Sequence, residues 1–287
     1  MEEFLNWWQH LPEHMDPVIF QIGSFRLQYY GLMYIVAFAF TYGLAAWRLR
    51  REDRFPIDTE QLQGLITALI LGLIIGARLG YVIFYNFSYY LQHPLEIALP
   101  FEFSGGLRFT GITGMSYHGG LIGVVIAAVI FVRKNKLSFF NMADLIVPCI
   151  PMGYTFGRLG NFINGELYGR ITTHPIGMFF PLAPGPHRRH PSQLYEAFFE
   201  GIVLFIVLWT VKGRVRTNGA MLALYLMGYG LVRFFIEYAR QPDAQLGFVF
   251  LSFSMGQMLC MAMMVAGAGL LFYLRTVAAV ESRKKRR

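Results

Sequence analysis

Long apolar stretches separated by short polar segments dominate this chain of 287 residues. The stretches at 35–47, 65–84, 121–132, 202–211 and 259–274 contain a single charged side chain, Arg78. A helix needs roughly 20 mainly apolar residues to cross a bilayer, and with their flanks several of these stretches reach that length. The pattern therefore predicts an all-α polytopic membrane protein with about seven transmembrane helices in a single domain, 1–287. The predicted spans are about 27–47, 62–85, 118–132, 139–157, 193–211, 219–239 and 253–274.

The positions of the basic residues predict how these helices are oriented. Cytoplasmic loops of membrane proteins carry an excess of Lys and Arg. Most basic residues here follow the first, third, fifth and seventh predicted spans: Arg48, Arg50, Arg51, Arg54, Arg133, Lys134, Lys136, Lys212, Arg214, Arg216, Arg275, Arg283, Lys284, Lys285, Arg286 and Arg287. This predicts an N-terminus outside the membrane, a C-terminus in the cytoplasm, and two outward-facing arm loops at 86–117 and 158–192. Connections of that length are usually functional.

Composition and charge narrow the class of protein further. Hydrophobic residues make up 55% of the chain and charged residues 15%, whereas soluble domains contain about 25% charged residues. The net charge of +8 is compatible with nucleic-acid binding or with a membrane. The basic residues cluster after apolar spans and form no face interleaved with stacking aromatics. We therefore predict membrane lipid as a partner and no nucleic acid.

Several ionisable residues fall in or at the ends of the predicted spans. They are Arg78, Asp144, Arg158, Glu196, Glu200, Arg233 and Glu237. Charged side chains at membrane depth are costly, so each needs a partner or a function. Arg233 and Glu237 are four residues apart, a spacing that predicts an ion pair on one helical face. From the residues alone, structural and functional roles both stay open.

Glycines mark two regions with different predicted roles. Gly72, Gly76 and Gly80 share one face of the second span, a pattern that favours close helix packing. Segment 157–170 combines four glycines with two arginines, two asparagines and a glutamate. Glycine lets backbone N–H groups approach an anion, and arginine presents a fork that matches phosphate oxygens. Segment 157–170 is therefore a candidate site for a phosphate headgroup, although a glycine-rich helix end can also be only a turn.

Two histidine-containing segments lie next to predicted spans. His118, in segment 114–120, could act as an acid or a base near neutral pH, or could simply be hydrogen-bonded. Segment 190–196, from His190 to Glu196, opens the fifth span, and its Pro191 and Ser192 also suit a capped helix start. The chain lacks the usual metalloprotease, serine hydrolase, phosphate-loop and paired-cysteine motifs. We therefore expect no metal and no cofactor.

Segment 157–169 closely resembles the signature of the prolipoprotein diacylglyceryl transferases. Other segments resemble that family in order and spacing: Asp16-Pro17-Val18-Ile19-Phe20, Tyr30-Gly31-Leu32-Met33-Tyr34, Gly76-Ala77-Arg78-Leu79-Gly80-Tyr81, His118-Gly119-Gly120, His190-Pro191-Ser192-Gln193-Leu194-Tyr195-Glu196 and Arg240-Gln241-Pro242-Asp243. The resemblance covers most of the chain. The family's seven-helix topology, with the N-terminus in the periplasm, agrees with the orientation predicted above.

The resemblance implies an enzyme of the bacterial inner membrane. Such an enzyme moves the diacylglyceryl group of phosphatidylglycerol to the thiol of the lipobox cysteine in a prelipoprotein signal peptide. A thioether forms and glycerol 1-phosphate leaves, which is the first step of lipoprotein maturation. The substrate supplies the nucleophile, so the enzyme needs cations on the departing phosphate and an acceptor for the thiol proton.

The same resemblance assigns expected roles to individual residues. Arg158 and Arg233 are expected to hold the phosphate and stabilise the leaving group. His118 matches the family's motif histidine and is the expected base or hydrogen-bond organiser, although water or a carboxylate could also be the base. The residues expected to position the headgroup and the arginines are Tyr30, Asn161, Glu166, Gly169, Tyr229 and Glu237.

The chain departs from the family pattern at one place, and two rival functions stay open. Before His118 the chain reads Thr113-Gly114-Met115-Ser116, where many relatives have a paired glycine and an upstream tryptophan-containing turn. This leaves open the shape of the outer arm and any peptide preference. A phospholipase could use the same arginines with water in place of the thiol. A transporter could also line a pathway with charged residues, but transporters often contain inverted repeats, which this chain lacks.

Overall fold

The computed structural model is mostly helical and describes residues 2–23, 25–99, 101–102, 108–109, 114–241, 248–250 and 253–285. Its α-helices are α1 (Glu2–His10), α2 (Tyr29–Arg51), α3 (Thr59–Tyr85), α4 (Phe87–Gln92), α5 (Tyr117–Lys134), α6 (Phe139–Ile146), α7 (Ile150–Ile163), α8 (Ser192–Tyr195), α9 (Leu204–Val211), α10 (Ala220–Ile236) and α11 (Met255–Lys285). Six short strands pair in three two-stranded sheets: β1 (Val18–Ile22) with β2 (Phe25–Gln28), β3 (Phe101–Glu102) with β4 (Arg108–Phe109), and β5 (Phe248–Phe250) with β6 (Phe253–Ser254).

Five helices are long and apolar enough to cross a membrane. They are α2, α3, α5, the continuous helix Ser192–Val211, and the stretch Met255–Val280 of α11. Ser192–Val211 consists of α8, a π-helical segment (Glu196–Val203) and α9. The protein is therefore a multi-pass membrane protein built from helices. The count of seven spans and their orientation stay predictions.

Shorter helices occupy the two other predicted spans. Region 139–157 contains α6 and the start of α7, separated by a 3₁₀ turn at Val147–Cys149. Pro148 and Pro151 lie in the first turns of the 3₁₀ segment and of α7. Proline lacks a backbone N–H and cannot continue a helix without a break. Region 219–239 contains α10, which has 17 residues.

Several boundaries differ from the predicted ones. Helix α7 continues to Ile163, whereas the predicted span ended at 157. Arg158 and Asn161 therefore lie on a helix and not at the start of an arm loop. The chain leaves this helix at Gly165, whose φ of +67° lies in the left-handed region that glycine adopts without a steric cost. Of the arm loop predicted at 86–117, residues 100, 103–107 and 110–113 lie outside the described part of the chain.

Residue contacts divide the chain into two compact units. One comprises Met1–Gln21, Arg26–Trp47 and Ala143–Arg287, and the other comprises Ile22–Phe25 and Arg48–Met142. We call them the large unit and the small unit. The sequence predicted one domain, 1–287, and that grouping stays a prediction.

The small unit is organised around close packing of α3 against α5. A Cβ atom added to Gly76 would lie 2.7 Å from the Cα atom of Gly123, and one added to Gly80 would lie 2.7 Å from the Cα atom of Gly119. No side chain fits at such distances, so the glycines allow the two backbones to touch. The prediction that Gly72, Gly76 and Gly80 form a packing face is confirmed.

Arg78 also has a structural role in the small unit. Its Nε donates to the carbonyl oxygen of Ile97 at 2.9 Å, and its Nη1 donates to that of Gly114 at 3.3 Å. A third donor, Nη2, reaches the carbonyl oxygen of Glu96, and the guanidinium lies 4.8 Å from the ring centre of Tyr90. Arg78 therefore ties segment 94–97 and Gly114 to α3, which explains a charged residue on this apolar helix.

Asp144 plays a comparable role in the large unit, where it caps α10. Its carboxylate is completely buried. It accepts hydrogen bonds from the backbone N–H groups of Gly219 at 2.9 Å, Met221 at 3.1 Å and Leu222 at 3.4 Å. The first N–H groups of a helix have no partner within the helix, and their positive dipole end favours an anion. This explains a second charge at membrane depth.

We expect Asp144→Ala to lower the stability of the large unit by about 3 kcal/mol, because three backbone donors, two of them buried, lose this acceptor. Asp144→Asn keeps one acceptor oxygen and should lose roughly half as much. The measurement is thermal unfolding of detergent-purified protein. An unchanged unfolding midpoint in Asp144→Ala would show that the cap does not stabilise α10.

Candidate functional site

The π-helical segment Glu196–Val203 places two carboxylates inside the large unit. Glu196 and Glu200 are 0% and 1% exposed. Helix α7 packs directly on this segment, since Thr155 donates a hydrogen bond to the carbonyl oxygen of Ala197 at 3.3 Å and fills the space beside Gly201. π-Helical segments are uncommon and occur frequently at functional sites. The local geometry thus presents two buried anions to α7 and α10.

Glu196 is the centre of an ion-pair network. Its Oε2 atom lies 2.8 Å from Nε of Arg158 and 3.0 Å from Nη1 of Arg233. The hydroxyl of Tyr154 donates to the same oxygen at 3.2 Å. The Arg158 Nε contact is short but poorly angled for a hydrogen bond, so we treat it as a charge contact. One carboxylate oxygen therefore holds two arginines from different helices.

Further carboxylates surround Arg233. Its Nη1 lies 3.4 Å from Oε1 of Glu200, and its Nη2 lies 3.4 Å from Oε2 of Glu237. The predicted pair Arg233–Glu237 is therefore confirmed. Ser254 donates to the other oxygen of Glu237 at 3.1 Å. Arg240 is more distant, 3.9 Å from both Glu196 and Glu237.

The network continues from Arg158 towards the end of α7. Nη1 of Arg158 donates to Oδ1 of Asn161 at 3.2 Å, and Nδ2 of Asn161 donates to Oε1 of Glu166 at 2.7 Å. The guanidinium of Arg158 lies 4.7 Å from the ring centre of Tyr154, where the ring face attracts a cation. Tyr30 of α2 packs beside Gly160 and interacts with Asn161. Arg158 is thus held at three points of its side chain.

Gly169 and His190 join the loop after α7 to the end of α10. The N–H of Gly169 donates to the carbonyl oxygen of His190 at 2.8 Å. A Cβ atom at Gly169 would collide with the carbonyl oxygen of Ala239, so only glycine fits there. Nδ1 of His190 lies 3.1 Å from the hydroxyl of Tyr195. Partial burial and the nearby His174 lower the pKa of His190 below its usual value, which favours a neutral ring.

The structure brings most of the predicted site residues together. Arg158, Arg233 and Glu237 form the ion pairs, and Asn161, Glu166 and Tyr30 extend them. Tyr229 packs edge-on against Tyr154, with ring centres 6.1 Å apart, and Gly169 pairs with Arg240 in an isolated β-bridge. His118 belongs to the small unit, where it is exposed in the first turn of α5 next to Tyr117.

Sequence reasoning missed four members of the network as site residues. Glu196 and Glu200 were recognised as charges at membrane depth. The cost of burying such charges was the feature that could have identified them as site residues. Arg240 was seen only as part of a motif. Tyr154 has no distinguishing signal, because a tyrosine in an apolar helix usually belongs to the packing.

Fold and site together define a multi-pass membrane protein with a buried cluster of arginines and carboxylates. Comparison with known proteins identifies the family to which this membrane protein belongs. A family model described as prolipoprotein diacylglyceryl transferase matches residues 17–273. The chain belongs to the prolipoprotein diacylglyceryl transferase family, as the resemblance in its motifs indicated.

Several relatives named phosphatidylglycerol–prolipoprotein diacylglyceryl transferase are similar over most of their length. The protein of Chlorobaculum tepidum is 56% identical over 274 residues, which cover 95% of this chain and 94% of the relative. That of Bordetella avium is 46% identical over 88% of this chain and 92% of its own length. That of Coxiella burnetii is 46% identical, with 91% and 95% covered.

Proposed function

We propose that the protein transfers the diacylglyceryl group of phosphatidylglycerol to the thiol of the lipobox cysteine in prelipoproteins. A thioether forms and glycerol 1-phosphate leaves. The observation that carries this proposal is the convergence of Arg158 and Arg233 on a single carboxylate oxygen in a chain of this family. Two guanidinium groups that meet at one oxygen can also meet at one oxygen of a phosphate.

The reaction is a displacement at a carbon atom of the lipid's glycerol backbone. The thiol sulfur forms a bond to that carbon, and the bond from carbon to the phosphate oxygen breaks. Negative charge grows on the phosphate as it departs, so fixed cations beside it lower the barrier. Arg158 and Arg233 supply those cations from a buried site, where their charges are screened less than in water.

The other site residues serve the arginines and the headgroup. In this proposal Asn161 and Glu166 orient Arg158, Glu237 orients Arg233, and Tyr30, Gly169 and Tyr229 shape the surrounding site. Their support is the contacts described above. His118 takes the thiol proton or organises the hydrogen bonds around it, on the strength of the motif resemblance.

The reaction is expected to take place at a bacterial membrane. The protein lies in the inner membrane of a bacterium, with seven spans, the N-terminus in the periplasm and the C-terminus in the cytoplasm. Its partners are phosphatidylglycerol and prelipoprotein signal peptides with a lipobox cysteine, and nucleic acid is not among them. The support is the five long apolar helices and the basic residues that follow alternate predicted spans.

Purified protein incubated with phosphatidylglycerol and a lipobox peptide is expected to add one diacylglyceryl group to the cysteine. Mass spectrometry measures the gain in peptide mass, and the matched control is the same peptide with serine in place of cysteine. Release of diacylglycerol without a modified peptide would identify a hydrolase. Absence of any lipid product would contradict an enzyme and favour a transporter.

A further inference from the structure

The oxygen that joins the two arginines occupies the position that a phosphate oxygen needs. Oε2 of Glu196 lies 2.8 Å from Arg158 and 3.0 Å from Arg233, so it forms a close ion pair with each. A phosphate oxygen that binds both arginines must therefore compete with Glu196 for the same position between the two guanidinium groups. The side chain of Glu196 is completely buried, so no water can replace it at low cost.

The ion pairs that surround Glu196 balance in formal charge before any lipid arrives. Their cations are Arg158, Arg233 and Arg240, and their anions are Glu196, Glu200 and Glu237. A phosphodiester brings one further negative charge into a buried site. An uncompensated buried charge is very costly. Binding of the lipid should therefore draw in one positive charge, and the simplest source is a proton on the displaced carboxylate.

We propose that Glu196 is an internal counter-ion that stands in for the lipid phosphate between Arg158 and Arg233, and that phosphatidylglycerol displaces it with uptake of one proton. When transfer turns the phosphodiester into a phosphate monoester, the newly formed phosphate oxygen takes the proton from Glu196. The carboxylate then returns to the arginines, and glycerol 1-phosphate leaves with that proton. This inference rests on the proposed function. Glu196 reacts with neither substrate. It sets how tightly the arginines hold a phosphate before and after transfer.

The groups that face Glu196 within the described residues come from three elements. They are Tyr154 and Arg158 of α7, Arg233 of α10 with Glu237 and Arg240 just beyond it, and Glu200 of the same π segment. Tyr154 donates to both Glu196 and Glu200. A proton that enters the cluster can therefore be shared among these side chains. Glu196 is the one that loses its contacts with Arg158 and Arg233 when the lipid binds.

The first test compares Glu196→Gln with the wild-type protein. Glutamine keeps the shape but removes one negative charge, so the dissociation constant for dioctanoyl phosphatidylglycerol should fall about tenfold or more. The KM should fall with it, and kcat should fall because glycerol 1-phosphate leaves slowly and inhibits at lower concentration. A purely structural role predicts the reverse, a higher KM from misplaced arginines. Weaker or unchanged lipid binding in folded Glu196→Gln protein would overturn the proposal.

Two further variants control for charge and shape. Glu196→Asp keeps the charge on a shorter side chain and should bind the lipid much more like the wild type than Glu196→Gln does. Tighter lipid binding in both variants would show that the effect comes from packing and not from charge, and would contradict the proposal. Glu52→Gln removes the partner of buried Arg48 in another ion pair, at 2.8 Å. Its lipid affinity should match that of the wild type.

The second test uses the wild-type protein alone, so it does not depend on a variant folding. The dissociation constant for dioctanoyl phosphatidylglycerol should rise with pH, by up to about tenfold per unit if one proton enters with each lipid. An indicator dye in weak buffer should record that proton directly. A parallel titration with inorganic phosphate separates recognition of the lipid headgroup from binding of any free phosphate. Affinity independent of pH, with no proton uptake, would contradict the inference.

Failure of this inference and failure of the proposed function have different signatures. If the wild-type protein modifies the lipobox peptide but Glu196→Gln shows no tighter binding, only the counter-ion role is wrong. If the wild-type protein forms no modified peptide, the proposed function is wrong. The proton measurement then still reports whether a phosphate displaces Glu196.

Discussion

Arg158→Ala and Arg233→Ala are each expected to lower the rate of diacylglyceryl transfer by roughly a thousandfold, the size of effect seen when a preorganised charge donor is lost. Each substitution removes a cation from the departing phosphate. Each also leaves Oε2 of Glu196 with one close arginine in place of two, in a site where that side chain is completely buried. The measurement is the initial rate of lipobox-peptide modification with phosphatidylglycerol, followed by mass spectrometry.

Conservative and distant variants separate this effect from misfolding. Arg158→Lys keeps the charge but loses the planar fork, so it should recover only part of the rate. Arg214→Ala changes an exposed arginine after α9 and should retain the wild-type rate. Thermal unfolding of each purified variant reports whether the fold is intact. Near-normal turnover by either folded arginine-to-alanine protein would remove the phosphate-binding role of that residue.

Gly76→Leu is expected to prevent α3 and α5 from packing, and so to leave little folded protein. The position of its Cβ is already within 2.7 Å of a backbone atom of Gly123, so a leucine side chain has no space. Overpacking of a core costs about 1–3 kcal/mol when side chains can shift. Here a backbone would have to move, and we expect a cost above that range. Yield of monodisperse protein and thermal unfolding in detergent measure the effect.

Gly269→Leu provides the matched control for this prediction. Gly269 lies in α11, and a Cβ atom there meets nothing within 4 Å. The same substitution in another apolar helix that is long enough to cross a membrane should therefore leave yield and stability close to those of the wild type. If Gly76→Leu behaved like Gly269→Leu, the close approach of α3 and α5 would not be needed for folding.

The long helices could be predicted from the sequence because apolar length is a strong signal. The five helices able to cross a membrane overlap five of the predicted spans closely. The predicted helix boundaries were least accurate where proline and glycine residues, and not apolar length, determine the ends of a helix. The break at Val147–Cys149 follows from proline, and the extension of α7 from 158 to Ile163 passes through Gly160, which composition alone would place in a loop. The π geometry of Glu196–Val203 has no periodicity that a sequence pattern reveals.

The site could be predicted in part, for a different reason. Arginines and carboxylates at membrane depth are rare because burying a charge there is costly. Arg158, Arg233 and Glu237 could therefore be predicted from that cost and from the resemblance of their motifs to the family. The pairing of carboxylates with arginines depends on how α7, the π-helical segment and α10 pack together. The spacing of residues along the chain does not reveal that packing. Glu196 lies 38 positions from Arg158 and 37 from Arg233 in the sequence, yet it contacts both.

The Asp144 cap has a consequence for how the protein is made. Asp144 can cap α10 only after Gly219, 75 residues later in the chain, has been synthesised. Until then the carboxylate of α6 lacks the three backbone donors that it has in the folded protein, and fewer partners for a charge are costly in a bilayer. The final contacts of Asp144 with α10, the helix that carries Arg233, therefore form only after residue 219 has been made. Translation order thus makes the cluster one of the last parts of the large unit to be assembled, and a nascent chain stopped before residue 219 has no formed site.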